Sequence, residues 1–368
     1  PTAFQQNLST MRLIRNFPAA VTCLAASVTC YMGLFWGPIS FGWAALCVSM
    51  GVVFLVSAAA CVVVHMALNP PWKGSVPPYV SKDKFGTPQE DWGLSFTEVT
   101  FPTHDGSMLD GWLVAPQGTP SGIGVVCVHG GGRDKRAFSR HSPFLTHAGH
   151  AVLLFDCRAA RVEGLTTHGI QEHQDVLSAA RWMRSQKTHA VGCIVAMGTS
   201  IGGSSVIMAA AKDPVIIQGA IAENPFTSWQ DNLDNIVVNF VFRQRLSAHM
   251  FKLLRPLSTL CSLLVRGIAW IRLPSSSATW SAIESVHLIA PRPLLLMHGS
   301  LDNVIPCSHS QRLYDTAVAK IAPSVKHNVE LWVVPEGHHV QLFDLMPSEF
   351  QSRVLRLIEL AAAEQGLK

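Results

Sequence analysis

Charged residues are scarce in this chain, and one long stretch lacks them altogether. Only 14% of the 368 residues are Asp, Glu, Lys or Arg, well below the roughly 25% that is usual in soluble domains. None of the four occurs between Arg15 and Lys73. Because about 20 apolar residues cross a bilayer, this stretch is long enough for two membrane-spanning helices. A cleaved signal peptide followed by a buried helix is the alternative interpretation.

The uncharged stretch divides at Gly37 and Pro38 into two apolar segments. We predict spans over Phe17–Trp36 and Phe41–Leu68, so that residues 1–72 form a membrane anchor, with a single span as the alternative. The basic residues that flank the spans are Arg12 and Arg15 before them, and Lys73, Lys82 and Lys84 after them. The positive-inside rule then predicts an integral membrane protein whose larger part faces the cytoplasm.

Metal-binding and disulfide patterns are also missing. The nine cysteines form no C-x-x-C pair and no disulfide framework, and no H-E-x-x-H occurs. The sequence therefore predicts no cofactor and no metal. The net charge of +4 is modest, and no nucleic-acid-binding module is recognisable, so a membrane surface is the expected partner and nucleic acid is not.

The rest of the chain alternates between strand and helix patterns. Residues 73–94, rich in Pro, Gly and Lys, are typical of a linker, and a domain over 95–368 follows. Its predicted strands are a hairpin of Ser95–Phe101 and Met108–Ala115, then Gly124–Val128, Ala151–Phe155, Val191–Met197, Ile216–Ala222, Pro293–Met297 and Val329–Val334. Helical patterns include Gly169–Arg184, Ser308–Ala322 and Ser348–Glu364. This alternation predicts the α/β class, with a doubly wound, mostly parallel sheet and a site at the carboxyl ends of its strands.

One insertion interrupts the alternation. The connection between the strands at Ile216–Ala222 and Pro293–Met297 is far longer than a crossover needs. We predict a helical cap over about 229–285. Six basic residues and no acidic one lie between Ile236 and Ile283. We therefore also expect the cap to rest on an anionic leaflet and to admit lipid-like acyl chains.

The pattern G-x-S-x-G, formed by Gly198, Ser200 and Gly202, stands between a predicted strand and a predicted helix. A sharp strand-to-helix turn of this kind presents a serine hydroxyl above the sheet edge. Glycines on either side relieve collisions within the turn. Ser200 is therefore the candidate nucleophile, whereas a glycine-rich packing turn would need neither the strand nor the helix.

Serine needs a base, and the base needs an anion to hold it. Asp302 lies in the loop after the predicted strand that ends at Gly299, and it is the candidate acid. Glu223, at the end of another strand, is the second choice. After the last strand, His338 directly follows Gly337 and is the candidate base. His339 is its competitor.

A run of glycines after the third predicted strand indicates an oxyanion hole. Backbone N–H groups of glycines approach a substrate oxygen without side-chain obstruction. We expect the N–H groups of Gly131 and Ile201 to serve, with Gly130 and Gly132 as alternatives for the first. His129 is expected to hold the loop by hydrogen bonds.

Four motifs together resemble the α/β-hydrolase superfamily over about Phe96 to Leu367. They are His129-Gly130-Gly131-Gly132, Gly198-Thr199-Ser200-Ile201-Gly202, Gly337-His338, and the loop from His298 to Pro306, which is similar to H-G-x-x-D-x-x-V-P with Ile305 in place of valine. The family's D-x-R-G-x-G is replaced by Asp156-Cys157-Arg158-Ala159-Ala160-Arg161. The resemblance implies a membrane-anchored serine hydrolase of the esterase, lipase or thioesterase type.

Together these patterns predict cleavage of an acyl ester or thioester, with a lipid-like substrate, by Ser200, Asp302 and His338. A peptidase or amidase of the same fold is the closest alternative, because the same groups serve both reactions. A catalytically silent scaffold is a further alternative.

Overall fold

The structure is a computed structural model that describes residues 49–51, 60–65, 86–160, 166–186, 190–237, 247–273 and 280–366. Most of the two predicted spans, and most of the predicted linker, lie outside these residues. Within the described ranges, no helix has both the length and the apolar character that crossing a membrane requires.

An eight-stranded sheet forms the centre of the molecule. Its strands are β1 Phe96–Pro102, β2 Met108–Val114, β3 Ile123–Val128, β4 Ala151–Phe155, β5 Cys193–Thr199, β6 Gly219–Glu223, β7 Leu294–Gly299 and β8 Val329–Val334. Their order is β1-β2-β4-β3-β5-β6-β7-β8. Only β2 runs antiparallel to its neighbours β1 and β4, and the other pairs are parallel. The predicted hairpin and mostly parallel sheet are confirmed.

The parallel strands are buried on both faces. Every residue of β3, β4, β5, β6 and β7 is buried, as short runs of Val, Ile, Leu and Ala without alternation indicate. The register pairs Thr199 with Glu223 and Glu223 with Met297. Gly299 pairs with Val334. The carboxyl ends of β5 to β8 therefore lie side by side.

Helices cover both faces of the sheet. They are α1 Pro88–Trp92, α2 Ser142–His147, α3 Glu172–Ser185, α4 Ile201–Lys212, α5 Trp229–Asn235, α6 Ala248–Arg272, α7 Ala282–Ser285, α8 Ser308–Ala319, α9 Leu342–Leu345 and α10 Pro347–Ala363. The predicted apolar face of α10 is buried, namely Phe350, Val354, Leu357, Ile358 and Ala361. This amphipathic pattern at helical spacing is why the sequence predicted the helix correctly.

The insertion between β6 and β7 contains α5, α6 and α7. One side of α6 packs through Val265 and Ala269 into a buried cluster that includes Leu233 of α5. Two residues from the amino-terminal part of the chain, Ala60 and Val64, are buried in the same cluster. The insertion is thus held by apolar contacts to its own helices and to the segment that precedes the sheet domain.

A buried ion pair joins the segment after β4 to helix α3. Arg158 follows β4, and its guanidinium lies 2.7 Å from a carboxylate oxygen of Asp175 in α3. The same carboxylate accepts hydrogen bonds from the Arg158 backbone N–H and from the Thr103 hydroxyl. The loop with alanines at 159 and 160 is therefore anchored by Arg158, which ties it to α3 and to the β1–β2 turn.

We predict that Asp175→Ala lowers the free energy of unfolding by about 3 kcal/mol, because it removes the buried carboxylate that pairs with Arg158 and leaves this charge paired only with the exposed Asp105. Arg181→Ala is the matched control on the same helix. Its ion pair with Asp213 is exposed at Arg181, so the expected loss is within about 1 kcal/mol. Denaturant unfolding of the two variants measures the difference, and equal losses would refute the structural role assigned to Asp175.

Candidate active site

Ser200 occupies a strained turn at the junction of β5 and α4. Its backbone has φ 55° and ψ −118°, a positive φ that a residue with a side chain rarely adopts. A Cβ at Gly198 would collide with the backbone of Gly202, and one at Gly202 would collide with the carbonyl of Val128. The Ser200 N–H donates to the Glu223 carbonyl at 2.8 Å. The turn therefore depends on its glycines and is tied to the end of β6.

Asp302 is a buried carboxylate in the loop after β7. One oxygen, Oδ1, accepts hydrogen bonds from the backbone N–H groups of Val304 at 2.8 Å and Ile305 at 2.9 Å. The other, Oδ2, accepts from Asn224 Nδ2 at 2.6 Å and His339 Nδ1 at 2.7 Å. Burial raises the pKa of Asp302, but the charge of His339 and hydrogen bonds from His298, His339 and the Ile305 N–H outweigh burial and hold the pKa well below its usual range. The carboxylate is therefore ionised.

Of the two histidines that follow β8, the structure joins His339, and not His338, to the acid. The His338 side chain is exposed, and its Nδ1 lies 3.1 Å from the carbonyl oxygen of Leu301. A carboxylate only accepts hydrogen bonds, so His339 Nδ1 carries the proton and its Nε2 is the basic nitrogen. The sequence favoured His338 as the base, whereas the hydrogen bonds of the structure favour His339.

The turn after β8 sets the directions of the His338 and His339 side chains. A Cβ at Gly299 would collide with the backbone of Gly337, and the Leu301 N–H donates to the Gly337 carbonyl at 2.9 Å. The loops after β7 and β8 are therefore packed backbone against backbone. In this arrangement the first histidine after Gly337 points to solvent and the second reaches Asp302.

Asn224 is a site residue that sequence reasoning missed. It follows β6 with φ 50°, a left-handed conformation in which asparagine is enriched. Its Nδ2 donates to Asp302, and its Oδ1 accepts from the Val340 N–H at 3.2 Å. In the sequence, the only indication of this role was the position of an asparagine directly after a predicted strand. Asn224 thus joins the acid loop to the loop that carries His339.

Glu223, the second choice for the acid, has its carboxylate directed toward α9. Its carboxylate accepts a hydrogen bond from the Leu342 N–H of α9 at 3.2 Å. Burial raises the pKa of Glu223, although the charges of Arg140 and His339 act in the opposite direction. Within the described residues, no hydrogen bond joins Glu223 to His339. The geometry therefore favours Asp302 as the partner of His339.

The glycine loop after β3 lies against the serine turn. A Cβ on Gly131 would come within 2.7 Å of Ile201 Cδ1, and one on Gly130 within 3.2 Å of Ser200 Cβ. Ile201 is the first residue of α4, so its N–H has no acceptor within the helix. The structure therefore places Gly130 beside Ser200, and Gly131 beside the side chain of Ile201.

His129 holds the glycine loop. It is buried, its Nδ1 donates to the Gly130 carbonyl at 2.8 Å, and its Nε2 accepts from the Cys157 N–H at 3.1 Å. Both ring nitrogens are therefore engaged in hydrogen bonds that link the loops after β3 and β4. This is the structural role that the sequence predicted for His129.

The alpha/beta hydrolase family model matches residues 125–351. This chain belongs to the alpha/beta hydrolase family. The matched range includes the glycine loop, the serine turn, Asp302 and His339, and the strand order described above carries all of them at one edge of the sheet.

This hydrolase is similar to bacterial proteins named as uncharacterised. It is 23% identical to YfhR of Escherichia coli K12 over 269 residues, which cover 72% of this chain and 80% of YfhR. It is 26% identical to YqkD of Bacillus subtilis over 254 residues, which cover 67% of this chain and 74% of YqkD.

Solved structures show the same fold. The Pyrococcus furiosus esterase Pf2001 superposes with a TM-score of 0.56 at 22% identity, covering 77% of this chain and 96% of the esterase. The Pyrococcus horikoshii acylaminoacyl peptidase gives a TM-score of 0.51 at 16% identity, covering 72% of this chain and 41% of the peptidase. At these identities the likeness concerns the fold alone.

A small apolar cluster borders the site of this hydrolase. Ile201, Phe226 and Ile305 are buried together, with Val304 packed against them. Ile201 is next to Ser200, and the N–H groups of Val304 and Ile305 bind Asp302. The same residues that position the polar groups therefore supply an apolar wall beside them.

The low pKa of Asp302 makes its contribution to stability depend on pH. Because the folded pKa lies below the unfolded value of about 3.9, the ionised carboxylate stabilises the fold above that value, and the contribution is lost as pH falls through the folded pKa. We predict that Asp302→Asn is less stable than the wild type at pH 7 and that this gap narrows below about pH 4.

Unfolding curves between pH 2 and pH 7 measure this gap. Asp315→Asn, on an exposed position of α8, is the control, and it should differ little from the wild type throughout. A gap for Asp302→Asn that stays constant with pH would show that the carboxylate charge does not stabilise the fold.

Proposed function

We propose that this α/β hydrolase is a membrane-anchored serine hydrolase that cleaves carboxylic esters or thioesters by a Ser200–His339–Asp302 triad. The observation that carries the proposal is the 2.7 Å hydrogen bond between His339 Nδ1 and the buried Asp302 carboxylate. It orients the imidazole of His339 at the sheet edge where the strained turn holds Ser200. The family match and the esterase of the same fold support hydrolysis.

In the first half of the reaction, Ser200 Oγ attacks the acyl carbonyl carbon while His339 Nε2 takes the hydroxyl proton. Asp302 keeps the Nδ1 proton in its hydrogen bond and stabilises the imidazolium that forms. The N–H groups of Gly131 and Ile201 bind the oxyanion. The imidazolium then protonates the departing alcohol or thiol, which leaves an acyl ester on Ser200.

In the second half, water replaces the leaving group. His339 removes a proton from the water, which attacks the acyl carbonyl through a second oxyanion. The carbon–oxygen bond to Ser200 breaks, and Ser200 recovers its proton from His339. The products are the carboxylic acid and the unchanged enzyme.

Two features support a substrate with an acyl chain. The apolar cluster of Ile201, Phe226 and Ile305 adjoins the reacting groups, as an alkyl chain requires. The inserted helix α6 carries exposed basic residues, Lys252 and Arg255, which suit an anionic lipid surface. Lipid esters and acyl thioesters in a membrane are therefore the proposed substrate class, with the domain on the cytoplasmic side.

An amide is the second candidate substrate. The acylaminoacyl peptidase from Pyrococcus horikoshii shares this fold, and the same catalytic groups act on esters and amides. Comparison of matched p-nitrophenyl ester and anilide substrates separates the two candidates.

We predict that His339→Ala lowers kcat/KM for a p-nitrophenyl ester by at least about 10³-fold, because the base is lost. His338→Ala is the matched control. Its side chain is exposed and contacts the Leu301 carbonyl, so the expected change is less than about threefold. Ser200→Ala should abolish both hydrolysis and labelling by a fluorophosphonate probe.

The outcomes separate the candidate roles. A large loss in His338→Ala with near-normal activity in His339→Ala would assign the base to His338. Absence of fluorophosphonate labelling in folded wild-type protein would favour a catalytically silent scaffold.

Asn224 is proposed as a positioning residue. Asn224→Ala removes the donor to Asp302 and the acceptor for the Val340 N–H, so His339 loses orientation while the apolar cluster beside Ser200 is unchanged. We predict a 10- to 100-fold lower kcat, by analogy with small misplacements of reacting groups, and an almost unchanged KM. Stopped assays over a range of ester concentrations give the two constants, and a rise in KM alone would contradict this role.

A further inference from the structure

Helix α6 has one face that is both exposed and apolar. The exposed fractions are 50% for Leu260, 57% for Leu263, 60% for Trp270 and 77% for Ile271. Leu260 and Leu263 are three residues apart, Trp270 follows Leu263 after two helical turns, and Ile271 is next to Trp270, so that all four lie along one side of the helix. Gly267 belongs to the same side, since a Cβ built on it would meet nothing within 4 Å. We call these five residues the α6 outer face.

The opposite side of α6 is already occupied. Val265 and Ala269 are buried in the cluster that holds the insertion to the domain. The outer face is therefore a second apolar surface on the same helix. Single exposed apolar residues are ordinary, but a continuous apolar stripe marks an interaction surface.

The charged residues of α6 itself are all basic. Lys252 and Arg255 are exposed earlier on α6, and no acidic residue occurs between Ser247 and Leu273. Arg266 lies on the same helix but pairs with Asp234 at 3.2 Å. Among the side chains of α6 that the structure describes, Lys252 and Arg255 are therefore the exposed cations that face a partner. A surface that combines apolar side chains, a tryptophan and basic residues is suited to the interface of an anionic bilayer.

The amino-terminal part of the chain meets α6 on its other side. Ala60 and Val64 are buried with Val265 and Ala269. Both belong to the stretch without charged residues that extends from position 16 to position 72. The segment that the sequence predicts as a membrane anchor is thus packed against the helix whose outer face is apolar.

We propose that the α6 outer face docks on a lipid bilayer that contains anionic lipids. Leu260, Leu263, Trp270 and Ile271 enter the boundary between headgroups and acyl chains, and Lys252 and Arg255 bind anionic headgroups. This inference rests on the membrane anchoring stated under the proposed function. It adds a second, interfacial contact that holds the insertion at the membrane surface.

The test places an environment-sensitive fluorescent amino acid at position 271 of the full chain. The matched control carries it at position 215, where Val215 is 71% exposed in the turn between α4 and β6. Both proteins are reconstituted into vesicles of zwitterionic lipid with and without anionic phosphatidylglycerol. Lipids brominated in the acyl chain serve as the quencher.

We expect blue-shifted emission and at least twofold quenching at position 271, with water-like, unquenched emission at position 215. Quenching at 271 should increase when phosphatidylglycerol is present. Water-like emission at 271 would overturn the proposal. Blue-shifted emission without quenching would overturn it too. If that shift is independent of protein concentration, another segment of this chain covers the face; if it grows with concentration, a second copy does.

Charge reversal tests the basic residues. In Lys252→Glu/Arg255→Glu, quenching at position 271 should lose its dependence on anionic lipid. Lys320→Glu/Lys326→Glu, on exposed positions beyond α8, is the matched control and should keep it. Equal dependence in both double variants would overturn the role of anionic lipid.

Hydrolysis of a soluble ester distinguishes this inference from the proposed function. Neither double variant should change it, because neither alters a catalytic residue. If soluble-ester hydrolysis survives Ser200→Ala, the proposed triad fails, whereas the fluorescence at 271 still decides the docking. If hydrolysis depends on Ser200 but 271 stays in water, only the docking fails.

Discussion

The buried carboxylate of Asp302 is the interaction on which the rest of the site depends. It receives hydrogen bonds from its own loop, from Asn224 after β6 and from His339 after β8. A buried anion is tolerated only when such donors surround it. The donors come from three different strand ends, so the parallel register of β6, β7 and β8 is a condition for the carboxylate to remain ionised.

Backbone contacts between glycines complete this arrangement. The serine turn closes because Gly198 and Gly202 have no side chains, and the loops after β7 and β8 meet because Gly299 and Gly337 have none. Ser200 itself remains at a positive φ. Strain at one residue is sustained by the surrounding packing, here by the buried strands β5 and β6 and by helix α4.

Much of the fold was predictable from local patterns. The strands of the sheet interior are short apolar runs, and α10 shows its buried face at helical spacing. Boundaries were less accurate where an apolar run continues beyond the hydrogen-bonded strand, as at β6, which begins at Gly219 and not at Ile216. The insertion was predictable as helical and basic. Its packing against Ala60 and Val64 was not, because contacts distant in sequence leave no periodic signal.

The class of the fold, the serine turn, the glycine loop and the acid loop follow from the amino-acid sequence alone, because each depends on residue types in a local order. The difference between His338 and His339 is seen only in the folded chain, where His339 contacts Asp302 and His338 contacts the Leu301 carbonyl. Neighbouring residues in a loop have the same local pattern, and their directions depend on how Gly337 packs against Gly299 across two strands. The role of Asn224 is likewise recognisable only in the folded chain, because its two hydrogen bonds join loops that are distant in the sequence.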